Sequence, residues 1–124
     1  MQDKVIINDY IENDPLSENN LDRTLDLVNR IRLSSPQKSI WLYTGFTWED
    51  IFSRIYDKDH IVTTYPEKYQ IYRQHIVKNC DVLVDGQYID SQRDINLPYR
   101  GSKNQRLIDI QKSLQKGEII LWQT

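Results

Sequence analysis

An α/β fold with a mostly parallel sheet is the architecture this sequence predicts, and three observations carry that reading. Short β-branched or aromatic runs alternate with stretches whose apolar residues recur at helical spacing. Glycine, proline, asparagine and aspartate stand at the junctions between them. No repeat, low-complexity tract or linker divides the 124 residues, so residues 1–124 read as a single domain built on one core.

The elements follow in order. Val5-Ile6-Ile7 predicts a first strand, and Asn13-Asp14-Pro15 a turn. Asn19 or Asn20 is placed to cap a helix whose apolar face is Leu21, Leu25, Val28 and Ile31, and Ser34-Ser35-Pro36 stops it. Residues 39–44 predict a second strand, ended by Gly45. Thr47, with Asp50 three residues on, predicts the capped start of a helix with Trp48, Ile51, Phe52 and Ile55 on one face. After a polar break at 57–60, Tyr69, Tyr72 and Ile76 predict a helix over 67–78. Residues 81–85 predict a third strand closed by Gly86. Residues 87–105 read as irregular, broken by Pro98 and Gly101; residues 107–110 fit either a short strand or a turn of helix; and 119–122 predict a final strand.

Composition narrows the function. The net charge of −2 argues against nucleic-acid binding, and no apolar run approaches the roughly 20 residues of a membrane span. The N-terminus lacks the pattern of a secretory signal, so a cytoplasmic location is expected. The charge is uneven. Residues 1–26 carry seven acids and two bases, whereas 93–116 carry six bases and two acids. This is either two solvated faces or an orientation device for an anionic partner. Cys80 is the single cysteine, expected as a small buried hydrophobe, so no internal disulfide and no multi-thiolate site is possible. His60 and His75 show no ligand spacing with Cys80, and Asp57 and Asp59 read as a solvated loop; no metal ligands and no catalytic residues are assigned. Trp41, Tyr43 and Trp122 read as core aromatics.

Several segments together resemble one family. They are Asp14-Pro15-Leu16; Ile40-Trp41-Leu42-Tyr43-Thr44-Gly45-Phe46-Thr47-Trp48-Glu49; Asp81 through Gly86; and Leu97-Pro98-Tyr99-Arg100-Gly101-Ser102-Lys103-Asn104-Gln105-Arg106-Leu107-Ile108-Asp109. In this order they resemble the anaerobic ribonucleoside-triphosphate reductase activating proteins, a radical-SAM activase family, over nearly the whole chain. The resemblance implies a partial radical-SAM-type (βα) barrel, the C-terminal part of the activase fold. It also implies chemistry with a 4Fe-4S cluster and S-adenosylmethionine that leaves a glycyl radical on the reductase. The C-x3-C-x2-C loop that holds the family's cluster is not in this sequence. The expectation is therefore that this chain alone binds no cofactor and is inactive alone, a truncated or split component.

By the same resemblance Asp14, Thr44 and Asp85 are candidate cofactor-binding residues. Glu12 and Asn13 replace two family glycines near the amino group of S-adenosylmethionine and add bulk there. Arg100, Ser102, Asn104, Gln105 and Arg106 are candidates for binding a partner or an anion, since guanidinium groups and amides match carboxylates, phosphates and backbone. The alternative is that Arg100 and Arg106 satisfy internal carboxylates such as Asp85. Expected partners are the reductase large subunit, a cluster-bearing half, or a second copy. The alternative function is a cluster-free module that docks on the reductase or its activase and modulates it.

Overall fold

The computed structural model describes residues 3–123 and contains one four-stranded sheet in the order β1-β2-β3-β4. Strand β1 (Lys4–Ile6) pairs in parallel with β2 (Ser39–Tyr43), and β2 pairs in parallel with β3 (Val82–Asp85). The last strand, β4 (Arg106–Asp109), runs antiparallel to β3. The α/β class and the mostly parallel sheet therefore stand, and the sheet is open.

Both faces of the central strands are apolar, as a parallel sheet requires. Ile40, Leu42, Leu83 and Ile108 face a helical layer made of α1 (Leu21–Ser34), α2 (Trp48–Phe52), α3 (Tyr65–Lys78) and α4 (Ile110–Lys116), where Val28, Ile51, Ile76, Val77 and Ile110 complete the core. Trp41, Val82, Val84 and Leu107 face the other way. Among the described residues no helix covers that second face. Tyr99 packs 5.0 Å from Trp41 and Trp122 packs 5.7 Å from it, ring centroid to centroid. Tyr99 adopts a left-handed φ of 61°, a strained conformation for an aromatic residue. That turn lets its carbonyl accept a hydrogen bond from the Tyr43 hydroxyl at 2.7 Å while its ring lies on Trp41.

Several expectations are corrected. Asn20 occupies the helix-start position but does not cap α1 with its side chain. Its amide instead donates to the carbonyls of Glu12 and Asp14, which ties down the preceding loop. The capping box of Thr47 and Asp50 forms as expected, but α2 ends at Phe52 and leaves Ile55 65% exposed. The reason is tertiary: Gln74 from α3 donates to the carbonyls of Ile51 and Arg54, so the chain turns away once those acceptors are satisfied. The third helix begins at Tyr65, two residues early, because Thr64 caps it by accepting from the Glu67 N–H. Around residue 108 both alternatives are realised in succession: β4 runs to Asp109, whose carboxylate then caps α4 through the Lys112 N–H. The expected strand at 119–122 is reduced to a single bridge between Ile108 and Leu121.

Two ion pairs pin opposite ends of the sheet. At the amino end, Arg32 donates to the carbonyls of Lys38 and Asn79 and meets Asp81 at 2.7 Å, while Asp81 also accepts from the Ile40 N–H. At the carboxyl end, Asp85 and Arg106 stand directly opposite each other across the β3–β4 ladder and pair at 2.6 Å. Among the described residues no helix is long and apolar enough to cross a membrane.

Candidate functional site

A cleft of about 240 Å³ opens beyond the carboxyl ends of β1, β2 and β3, lined among others by Asn13, Asp14, Tyr43, Thr44, Gly45 and Gln87. Open α/β sheets place ligands in this position, because the strand ends and their loops converge there.

Asp14 is the organising residue of this edge. Its carboxylate accepts from the Thr44 hydroxyl at 2.8 Å, from the Gly45 N–H at 2.8 Å and from the Leu16 N–H at 2.9 Å. One side chain thus joins the loop after β1 to the end of β2. The loop itself is held by Asn20, by Thr24 donating to the Pro15 carbonyl, and by Arg73 donating to the Leu16 carbonyl. Asn8 adds a further link, exchanging two 2.9 Å hydrogen bonds with the backbone of Tyr43 and so prolonging the β1–β2 ladder with its side chain. Gly45 leaves little room: a Cβ there would meet the Gln87 side chain at 3.1 Å, a tight contact, and Asp14 at an ordinary 3.5 Å. Asn13 holds a left-handed φ of 63°. Asparagine is among the few non-glycine residues that tolerate this region. The backbone turn that glycine would permit is therefore kept, though the side chain is larger.

Thr44 joins Asp14 in this cleft, whereas Asp85 does not. Asp85 is 1% exposed and faces an adjoining cavity shared with Glu49 and Arg106. It accepts two hydrogen bonds from Arg106 and one from the Trp48 N–H at 2.7 Å. It thereby holds the start of α2 against the end of β3, an anion at a helix N-terminus. Arg106 reaches Glu49 as well, at 2.6 Å. The two carboxylates favour the protonated guanidinium, and the guanidinium in turn holds the Glu49 carboxyl below its ordinary value of 4.5.

That shift has a sign that can be tested. A carboxyl whose folded value is depressed contributes stability above its ordinary value and loses it as pH falls through the folded one. Urea titrations from pH 7 downward are expected to show Glu49→Gln less stable than the parent at neutral pH, with the difference vanishing below pH 4.5. A constant difference across that range would contradict the pairing. Glu49 is largely exposed, so the effect is small.

The loop expected to bind a partner or an anion divides in two. Ser102 donates to Asn104; Asn104 donates to the Gln87 carbonyl; Gln105 accepts from the Gly101 and Ser102 N–H groups and donates to the Gly86 carbonyl. These three side chains and Arg106 bind the loop to the end of β3. Arg100 stands apart from that network. Reading the sequence could pair Arg106 with Asp85 only as one alternative, since their opposition is a matter of strand register.

An open, mostly parallel sheet with a carboxylate-locked cleft beyond its strand ends defines an α/β protein with a candidate site at that edge. The chain belongs to the 4Fe-4S single cluster domain family, whose model matches residues 13–108. It is similar to proteins named anaerobic ribonucleoside-triphosphate reductase-activating protein. The relative from Vibrio cholerae is 35% identical over 92 residues, covering 74% of this chain and 48% of that protein. Those from Haemophilus influenzae and Escherichia coli are each 32% identical over the same length and shares. The chain thus spans about half the length of these curated relatives. No solved structure matched it significantly.

The family match corrects one expectation. The chain was expected to carry no cofactor of its own, but a 4Fe-4S domain spanning residues 13–108 points to a bound cluster rather than none. The donors within the 124 residues do not by themselves fit that group. Cys80 is the single cysteine, is completely buried, and donates to the Ile76 carbonyl at 3.3 Å. Burial pushes its thiol well above the ordinary range, so it resists becoming the thiolate a metal needs. Among the described residues no three His, Cys, Asp or Glu side chains are grouped to hold a metal ion. In keeping with this burial, Ellman's reagent at pH 8 is expected to leave Cys80 unmodified in the native chain and to react fully in guanidinium. Rapid native labelling would show that the α3–β3 corner opens.

Proposed function

We propose that this chain forms the ligand-cleft component of an activase for an anaerobic ribonucleotide reductase. The observation that carries this reading is the junction of Asp14, Thr44 and Gly45 beyond the parallel strand ends, with Asn13 in the left-handed turn beside it. In this reading the cleft receives S-adenosylmethionine with its amino group against the 13–14 turn. Asp14 and Thr44 shape that edge, and Asp85 supports the neighbouring wall through Arg106. The open sheet is then one portion of a larger (βα) barrel.

The chain is inactive by itself in this reading. Cleaving S-adenosylmethionine reductively takes an electron from a thiolate-held cluster with an open iron, and the lone Cys80 is no such ligand set. Its partners are the reductase large subunit and a polypeptide carrying the cluster's thiolates. Among the described residues strand β1 is hydrogen-bonded on one side only, an edge able to pair with such a partner or with a second copy. A second reading is a module that docks on the reductase or its activase and modulates it. It is favoured by the commitment of both Asp14 oxygens to internal donors.

Anoxic mixtures of chain, reductase, reductant and S-adenosylmethionine, read by electron paramagnetic resonance, test the first reading. A glycyl radical is expected only when a cluster-bearing polypeptide is added. A pull-down that fails to retain the reductase, together with no measurable S-adenosylmethionine binding, would remove the activase reading; retention without radical formation selects the second.

A further inference from the structure

The segment from Pro98 to Leu107 turns one face toward residues 86–87 at the end of β3 and another toward Leu121 and Trp122. On that second side Pro98, Arg100, Lys103, Leu121 and Trp122 line a cavity of about 290 Å³, separate from the cleft at the strand ends. Its charges are unbalanced. Arg106, at the margin, is neutralised by Asp85 and Glu49. The Nε of Arg100, in contrast, is buried with no hydrogen-bond partner among the described residues, and no carboxylate pairs with this guanidinium there. That Nε is enclosed, so the outer nitrogens of the guanidinium are the ones a ligand in the cavity can meet. Lys103 stands exposed beside it. The cavity thus presents two cations next to an apolar floor, of which Leu121 remains 53% exposed.

We propose that this cavity binds the carboxylate of an acidic, apolar peptide segment of a partner protein. The outer Nη1–Nη2 edge of a guanidinium matches a carboxylate in two parallel hydrogen bonds, and Lys103 adds charge without directional demand. The neighbouring Leu121 and Trp122 accept an apolar side chain adjoining the acid, which a small free anion would leave uncovered. The site does not depend on the reading of the strand-end cleft, although Gln105 lines both cavities.

The test uses the full chain labelled with ¹⁵N, followed through its arginine Nε–H and tryptophan indole signals. The probe is the peptide acetyl-Leu-Glu-Leu-Asp-Leu-amide. Saturable shifts are expected at Arg100 and Trp122, weakening with salt, and at least about tenfold weaker binding in Arg100→Gln. Lys103→Gln serves as a second, exposed variant whose folding is not in question, and it is expected to weaken binding as well. Arg93→Gln, an exposed arginine outside the cavity, is expected to bind as the parent does. Equal binding of the Gln/Asn version of the peptide, tighter binding of inorganic phosphate, or shifts unchanged in both cavity variants would each overturn the proposal.

Discussion

Replacing Asp85 by alanine is expected to lower the unfolding free energy by about 3–4 kcal/mol, measured by urea or guanidinium titration at pH 7. Asp85 is almost wholly enclosed, and its loss strands two donors at once. Arg106 would keep only the exposed Glu49 as a partner, and the Trp48 N–H at the start of α2 would lose its acceptor. The side chain of Arg106 is 33% exposed, so water recovers part of the loss; this places the expectation below the upper end for a fully buried pair. Domains of this size are stable by only about 5–15 kcal/mol, so the change is large relative to the whole. Asp85→Asn is expected to fall between, since it keeps the volume and one acceptor oxygen. A loss under about 1 kcal/mol for the alanine variant would mean that the cross-strand pair does little to hold β4 and α2 in place.

Asp14→Ala is the second large effect, expected at about 2–4 kcal/mol. Three donors lose one carboxylate: the Thr44 hydroxyl and the N–H groups of Gly45 and Leu16. The Leu16 side chain is fully buried, so its backbone has limited access to water. The variant also separates structure from function. Under the proposed activity, S-adenosylmethionine binding measured by calorimetry is expected to disappear in Asp14→Ala while circular dichroism stays near native. Thr44→Val removes only the hydroxyl and is expected to weaken binding less. Retained ligand affinity in Asp14→Ala would show that this carboxylate does not shape the cleft.

Both effects concern links between segments far apart in sequence, and they mark where reading the residues alone stops. Strand β2 was legible because Ile40, Trp41 and Leu42 form an unbroken apolar run ended by Gly45, and β3 because Val82, Leu83 and Val84 form another. The capping box of α2 was legible because its donors and acceptors lie within one turn. Asp14 and Thr44 were nominated by resemblance, and the fold sets them 2.8 Å apart. Asp85 was nominated with them but is drawn away by Arg106, its register partner on an antiparallel strand whose existence the sequence left open.

The sequence by itself determined the alternation of elements and the faces they bury, because periodicity and capping are local and follow from backbone geometry. It also determined the thiol inventory, a single cysteine. Only the tertiary structure decided the end of α2, the antiparallel return of β4, the covering of the second sheet face by Tyr99 and Trp122, and the partners of each charged side chain. These depend on which acceptors meet which donors once the sheet has assembled, and distance along the chain carries no record of that.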